Sequence, residues 1–405
     1  MAITAILDNA SERDTMSSRP PAWQRRAINV AAFRAEARRV LPRAVFDFVD
    51  GGAGDETTLR RNVSAFDSVQ ILPRPLTGAS VRDLSISLFG KRLSLPVMVA
   101  PTGLAGLLWP DGEFATARAA AAAGTAYCLS HGSVCTLEDL AATGAAPRWM
   151  QTYIYKDREL TREIAGRSAE AGYDALVVTI DTQIVGNRER DVRNGFTIPP
   201  RLSATEVASM AFKLPWLMRM RSAIPNITFG NYRRPGSGED LTALAHRMLS
   251  LPDPGSNWAD IEWLRGVWQG PLILKGVLHP KDAAEAVAHG VDGVIVSNHG
   301  GRQLDGAASA LDALPGVAEA AAGRTTVLLD GGIRRGSHVV KALALGADCC
   351  LIGRPQLWAL AVAGEAGVAH VLEIFRHEID LAMGLSGLSS VDGISADILL
   401  KHDGG

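Results

Sequence analysis

Eight short apolar runs, spaced along residues 96–352, constrain this chain more than any other feature. They are Pro96–Ala100, Ala126–Leu129, Trp149–Tyr153, Ala175–Ile180, Leu272–Leu274, Gly293–Val296, Val327–Leu329 and Cys349–Ile352. Each is continuously apolar, as strands buried on both faces are. Helical segments lie between most of them: Glu113–Ala123, Leu137–Ala142, Arg158–Ala171, Pro280–His289, Ala308–Ala322 and Ser337–Leu345. Strand–helix alternation repeated eight times predicts an α/β fold, a (β/α)8 TIM barrel. A doubly wound sheet is the rival, but no GxGxxG follows the first run. Abundant small residues and only 6% aromatics suit helices packed closely on such a sheet.

The rhythm breaks once, where about ninety residues separate the fourth run from the fifth. Most of 200–257 is therefore an insertion at the barrel end where active sites form. Within it, MAFKLPWLMRMRSAIP (210–225) is apolar, with Lys213, Arg219 and Arg221 and no acids. Two readings stay open: a lid or subunit contact, or a membrane-surface patch. Ahead of the barrel, residues 30–50 read as a helix stopped at Gly51-Gly52, and residues 1–25 read as a disordered tail. The main domain is placed at 26–395.

A formal net charge of -2 gives no electrostatic reason to expect nucleic acid. The four cysteines form no CxxC pair and no metal-ligand spacing, so neither a disulfide framework nor a metal site is expected. No signal peptide and no uncharged stretch of spanning length is read. A cytoplasmic protein is expected, peripheral at the inner face of the membrane if 210–225 is a membrane patch.

Polar residues cluster at the C-terminal ends of the runs, where barrel enzymes place their chemistry. They include Ser130, Gln151, Tyr153, Thr179, Asp181, Lys275, Ser297, His299, Asp330 and Arg354. After the seventh run comes DGGIRRG (330–336), and after the eighth Gly353-Arg354. Glycines let backbone N–H groups approach an anion, and Arg334 and Arg354 offer bidentate donors, so a phosphate site is predicted. Lys275 reads as a surface ion-pair partner, a fixed cation for an anionic cofactor or intermediate, or a Schiff-base lysine. His299 follows a buried run and precedes two glycines, with Arg302 three residues on, which sets a proton acceptor beside a carboxylate clamp. Asp181 can orient its imidazole. Arg188 reads either as a second clamp or as part of a solvated charge run, NRERD.

SNHGGRQLDGA (297–307), DGGIRRGSHVVKALALGAD (330–348) and LIGRP (351–355) resemble the FMN-dependent 2-hydroxy-acid oxidising family, which includes glycolate oxidase and lactate and mandelate dehydrogenases. The likeness runs from about residue 30 to about 390. APTGLAGLLWPDGE (100–113) and RERD (188–191) look closest to mandelate dehydrogenase. The resemblance implies FMN, with His299 as base and Asp181 as its partner. It implies that Arg188 and Arg302 bind the substrate carboxylate and that Tyr153 touches the substrate. It places Lys275 beside the flavin N1–O2 edge. Ala100, Pro101, Thr102, Ser130, Gln151, Thr179 and Ser297 would line the flavin ring. Asp330 would hold the ribityl chain, and Gly332, Arg334, Gly353 and Arg354 the phosphate. It also implies a homotetramer.

This chain departs from the family at Phe48, where many members carry a tyrosine that bonds the carboxylate. One donor is lost and the pocket becomes more apolar, which favours an aryl or bulky (S)-2-hydroxy acid. Trp109 reads either as pointing the same way or as a packing residue alone. Gly103 matches mandelate dehydrogenase rather than the oxidases, so a quinone or protein electron acceptor is expected ahead of oxygen. Rival readings are a lactate enzyme, oxidation of a 2-amino or peptide-derived substrate, and a flavin-binding barrel without turnover.

Overall fold

The computed structural model describes residues 20–195, 210–233, 244 and 250–400. All eight runs form parallel strands: β1 (Val97–Val99), β2 (Tyr127–Leu129), β3 (Arg148–Thr152), β4 (Ala175–Thr179), β5 (Leu272–Val277), β6 (Gly293–Val296), β7 (Thr326–Asp330) and β8 (Cys349–Ile352). They close in the order β8-β1-β2-β3-β4-β5-β6-β7. The closing pair aligns Cys350 with Val97 and Ile352 with Val99, which removes the doubly wound sheet. Strand residues such as Met98, Val177, Ile273 and Leu328 are wholly buried. Each such side chain contributes about 1.5–3 kcal/mol, so the continuous apolar runs hold the barrel together.

One register break falls in β5, between Lys275 and Val277. Gly276 sits there at φ +109, and a Cβ on it would lie 2.7 Å from the Asp181 Cβ. Only glycine lets Asp181 lie against this strand.

The helix expected over 30–50 is two helices, α1 (Val30–Val40) and α2 (Arg43–Asp50). They break at Leu41-Pro42. Leu41 is extended at ψ 149, as a residue before proline prefers, and Pro42 caps α2 without an N–H to donate. Residues 1–19 of the expected tail lie outside the described residues, while Ala22–Arg26 is a short helix. A hairpin, Ile86–Leu88 with Lys91–Leu93, precedes β1 and was not foreseen. Its turn, Phe89-Gly90, has two positive φ values, as a tight hairpin requires. Phe89 packs on Trp149 and would touch a Cβ at Gly293, so the hairpin covers the N-terminal end of the barrel.

Part of the insertion is described. Helix α3 (Leu214–Met220) buries Trp216 and Met220 and leaves Leu214 and Met218 exposed, beside an exposed Phe212. Further on, Asn231 accepts from Leu137 N–H and donates to Ser133 Oγ. The Tyr232 hydroxyl meets that of Tyr155 at 2.8 Å, and Tyr155 also bonds His131. These contacts tack the insertion to the loops after β2 and β3.

After β8 comes α4 (Arg354–Ser386), kinked at Ala363-Gly364. It is long and apolar enough to cross a membrane, yet it buries Leu357, Trp358, Leu360, Val368 and Phe375 in the barrel's core. All four cysteines are free and buried, and no metal-binding cluster occurs among the described residues.

Candidate active site

Side chains from all eight strand ends converge at the C-terminal mouth. At its centre is His299, on the loop after β6. Its Nδ1 lies 3.0 Å from Asp181 Oδ1. Burial would raise the Asp181 carboxyl, but His299 and Lys275 outweigh it and hold it below the usual range. Asp181 is therefore ionised, so Nδ1 carries the proton and Nε2 is left as the acceptor. Burial pushes His299 below its ordinary value, against the pull of Asp181, so the imidazole is neutral at neutral pH. The His299 backbone is left-handed at φ +58, a strained conformation for a residue with a Cβ. Gly300 and Gly301 continue the left-handed turn, and a Cβ at 301 would fall 2.6 Å from Leu59 N.

Beneath the histidine lies Lys275. It is 4% exposed, donates to Ser297 Oγ at 3.0 Å, and pairs with Asp330 Oδ2 at 2.9 Å. Burial opposes its charge, but Asp330 and Asp181 outweigh this and raise its pKa. It is a fixed ammonium, neither a surface lysine nor a neutral amine for a Schiff base. Ser297 Oγ also accepts the His299 N–H at 3.0 Å, tying cation and base together.

Two arginines flank the pair. Arg302 donates to the Phe48 and Gly51 carbonyls at 2.8 and 3.0 Å, and its guanidinium lies 5.4 Å from the Phe48 ring centre. Phe48 O and Val49 O are among the carbonyls that the end of α2 leaves without helical partners. Arginines cap them there, at the negative end of the helix dipole. Arg188 reaches the Arg302 carbonyl at 3.4 Å and Gln303 Oε1 at 3.5 Å. Neither arginine pairs with a carboxylate among the described residues, and burial lowers the pKa of both. The NRERD run thus divides. Arg188 turns to the site, whereas Arg190 pairs with Asp47, Asp50 and Glu56.

The predicted phosphate residues lie beside this cluster, with Arg354 and Arg302 sharing the Gly51 carbonyl. Among the described residues the Arg334 guanidinium hydrogen-bonds the Ile333 carbonyl alone, at 2.8 Å, and stands 4.9 Å over Trp358. Arg354 bonds the carbonyls of Val49, Gly300 and Gly51. Burial pushes Arg334 down to about 9 and Arg354 down to about 10. Two desolvated guanidiniums without a carboxylate, beside Gly332 at φ +77, fit a bound phosphate. Asp330 Oδ1 is buried without a partner, which fits a ligand hydroxyl donating to it.

The ring-lining residues fall between. Ser130 Oγ donates to Gln151 Oε1 at 3.3 Å, and Gln356 Nε2 donates to Thr102 Oγ1 at 2.9 Å. Ala100 and Thr179 are buried, and Pro101 and Gly353 are partly so. A Cβ at Gly103 would come 3.1 Å from the Gly132 carbonyl, so an alanine there is a tight fit. Tyr153 is pushed up by burial and feels the charges of Asp181, Arg188 and Lys275, which places it in the same cluster. Trp109 is committed elsewhere. Arg219 of α3 lies 4.1 Å over its ring, and a Cβ at Gly364 would strike that ring. It packs the insertion onto α4, so it gives no support to an aryl pocket.

One residue escaped the sequence reading. Gln303 Nε2 donates to the carbonyls of Asp181 and Ile184 at 2.6 and 2.8 Å. Its Oε1 accepts from Gly186 N–H and from Arg188. Gln303 therefore joins the loop after β4 to the loop after β6 and positions Arg188. We expect Gln303→Leu to raise KM about tenfold with a smaller change in kcat. An unchanged KM would remove this positioning role. Only its place in a basic, glycine-rich loop hinted at Gln303, because the partners are carbonyls more than a hundred residues away.

Residues 37–401 match the family described as FMN-dependent dehydrogenase. The chain is 42% identical over 380 residues to 2-hydroxyacid oxidase 1 of Mus musculus, covering 93% of this chain and 97% of that one. It is 44% identical over 374 residues to an L-lactate dehydrogenase of Caulobacter sp. (strain K31), covering 92% and 98%. Among solved structures, it is similar to the monotopic membrane protein (S)-mandelate dehydrogenase, with a TM-score of 0.89, 37% identity, and 93% and 99% of the two chains covered. A histidine paired with an ionised carboxylate, and buried arginines that have no carboxylate partner among the described residues, suit such chemistry. This chain belongs to the FMN-dependent dehydrogenases and is an FMN-dependent enzyme that oxidises 2-hydroxy acids.

Proposed function

We propose that the substrate is an aryl or otherwise bulky (S)-2-hydroxy acid, mandelate-like, which becomes the 2-keto acid. The observation that carries this is Phe48, whose ring beside Arg302 offers an apolar surface where a hydroxyl would favour a smaller, more polar acid. Arg188 and Arg302 hold the carboxylate through charge-assisted hydrogen bonds. That grip sets the substrate carbinol against His299, with Tyr153 at its oxygen. His299 Nε2 takes a proton, and ionised Asp181 stabilises the imidazolium that results. Bound FMN supplies the acceptor for the substrate's two electrons. Lys275 holds a positive charge under the site throughout, which favours the build-up of negative charge beside it. In this reading Arg334, Arg354, Gly332 and Gly353 bind the phosphate, and Asp330 the ribityl chain.

The test is anaerobic mixing of the holoenzyme with (S)-mandelate or L-lactate, followed by flavin bleaching. Mandelate should be preferred in kcat/KM by roughly 10- to 200-fold, the range one apolar pocket supplies. A preference for lactate would overturn the substrate reading and leave the family assignment standing. Gly103 supports a quinone or protein acceptor, so a quinone analogue should reoxidise the flavin faster than air does.

A peripheral membrane location goes with this reading. Phe212, Leu214 and Met218 are 86%, 61% and 65% exposed on one short segment, a cost in water that a lipid interface removes. Phe212→Glu with Leu214→Glu should release the protein from sedimented vesicles. The assembly is taken to be a homotetramer.

A further inference from the structure

Beside α2 lies a cavity of about 540 Å³ walled by α1, α2, the helix Glu189–Arg193 and Lys213. Six cationic side chains line it, Arg34, Arg38, Arg43, Arg190, Arg193 and Lys213, against two carboxylates, Asp47 and Asp50. Both carboxylates are already engaged. Asp50 is held by Arg34 at 2.6 and 2.8 Å and by Arg190 at 3.2 Å. Asp47 accepts from Asn194 at 2.8 Å and faces Arg43 and Arg190 at 3.5 Å each. Among the described residues the remaining cations have weak partners or none. There Arg193 pairs with Glu189 alone, one turn away on an exposed surface, where such pairs contribute little. Lys213 donates to a backbone carbonyl, that of Arg39. Arg38 has neither an ion pair nor a side-chain hydrogen bond among the described residues.

Arg34 shares the Trp358 ring with Arg334, but Arg38, Arg193 and Lys213 make no contact with Arg334 or Arg354 among the described residues. The cavity also borders the apolar surface, because Lys213 sits between the exposed Phe212 and Leu214. Excess positive charge in a concave, partly enclosed space concentrates anions, and arginine forks suit tetrahedral oxyanions. We propose that this cavity is a second anion site that binds a phosphate-bearing group, with Arg38, Arg193 and Lys213 as its ligands. A phospholipid headgroup and a free phosphate ester share this chemistry.

The test uses the FMN-loaded holoenzyme, so that the cofactor cradle is filled, and compares it with an Arg38→Ala/Lys213→Ala variant. None of these residues belongs to the catalytic machinery. Glycerol 3-phosphate is titrated by calorimetry at constant ionic strength set with chloride. The wild type should bind it saturably, and the variant about tenfold more weakly. Equal binding by the two proteins, or no saturation in the wild type, would overturn the site. Thermal melting of both proteins guards against a variant that has lost its fold, and Arg193→Gln supplies a second one. Vesicles then separate the sources. Retention on phosphatidylglycerol over phosphatidylcholine that the variant loses identifies a headgroup, and retention unaffected by the variant identifies the soluble ester. Turnover is not the readout, so the result stands apart from the substrate assignment.

Discussion

His299→Ala should slow flavin reduction by its hydroxy-acid substrate by on the order of 10²- to 10⁴-fold, while FMN stays bound. Among the described residues the imidazole is the one group at the mouth whose free nitrogen is an acceptor and whose other nitrogen is fixed by an ionised carboxylate. The proposed phosphate residues do not include it. Rapid mixing under nitrogen measures the first half of this statement, and the visible absorbance of the purified protein the second. A variant that still bleached at the native rate would remove His299 from the mechanism.

The pH dependence follows from the same pair. Burial lowers the His299 pKa below 6.5, so the base is lost as pH falls through that lowered value, and the acid limb of kcat/KM lies below 6.5. The Asp181 charge raises the His299 pKa. Asp181→Asn should therefore move the acid limb to still lower pH while reducing the rate. A limb that moved upward would mean the limb belongs to another group.

The second large effect concerns the cofactor. Arg334→Ala should weaken FMN binding about a hundredfold without lowering the melting temperature of the FMN-free protein. Among the described residues its guanidinium hydrogen-bonds the adjacent Ile333 carbonyl alone and is desolvated, so the empty fold gains little from it. Arg354 offers the contrast. It caps the carbonyls of Val49 and Gly51 at the end of α2, so Arg354→Ala should lose FMN and stability together. Differential scanning calorimetry of the FMN-free proteins, with fluorescence titration of FMN, separates the two. If Arg334→Ala melted well below the native FMN-free protein, the arginine would be structural.

The barrel was readable because strands buried on both faces leave uninterrupted apolar runs, and all eight are present at or within two or three residues of where the sequence puts them. Residues at their C-terminal ends converge for the same reason, since a closed barrel brings every strand end to one mouth. Features that depend on distant backbone were not readable. The Ile86–Leu88 hairpin has strands of three residues, too few to show a period. Pro42 signals the break between α1 and α2, but an apolar pattern on both sides hides it. Trp109 looked like a pocket wall from its motif, yet its neighbours, Arg219 and Gly364, lie more than a hundred residues away. Arg188 could not be told from its charged neighbours until the structure showed which of them have carboxylate partners.

Arg302 hydrogen-bonds the main-chain oxygens of Phe48 and Gly51, while the Phe48 ring only lies against its guanidinium. On the proposed reading, the carboxylate clamp and the apolar wall at position 48 are therefore separately mutable. Exchange of one aromatic for another at 48 leaves both main-chain acceptors in place and changes the surface offered to the proposed substrate. A lineage carrying this scaffold would then drift between acids of different size through one codon of an N-terminal helix, without passing through a form that has lost the proposed grip on the carboxylate.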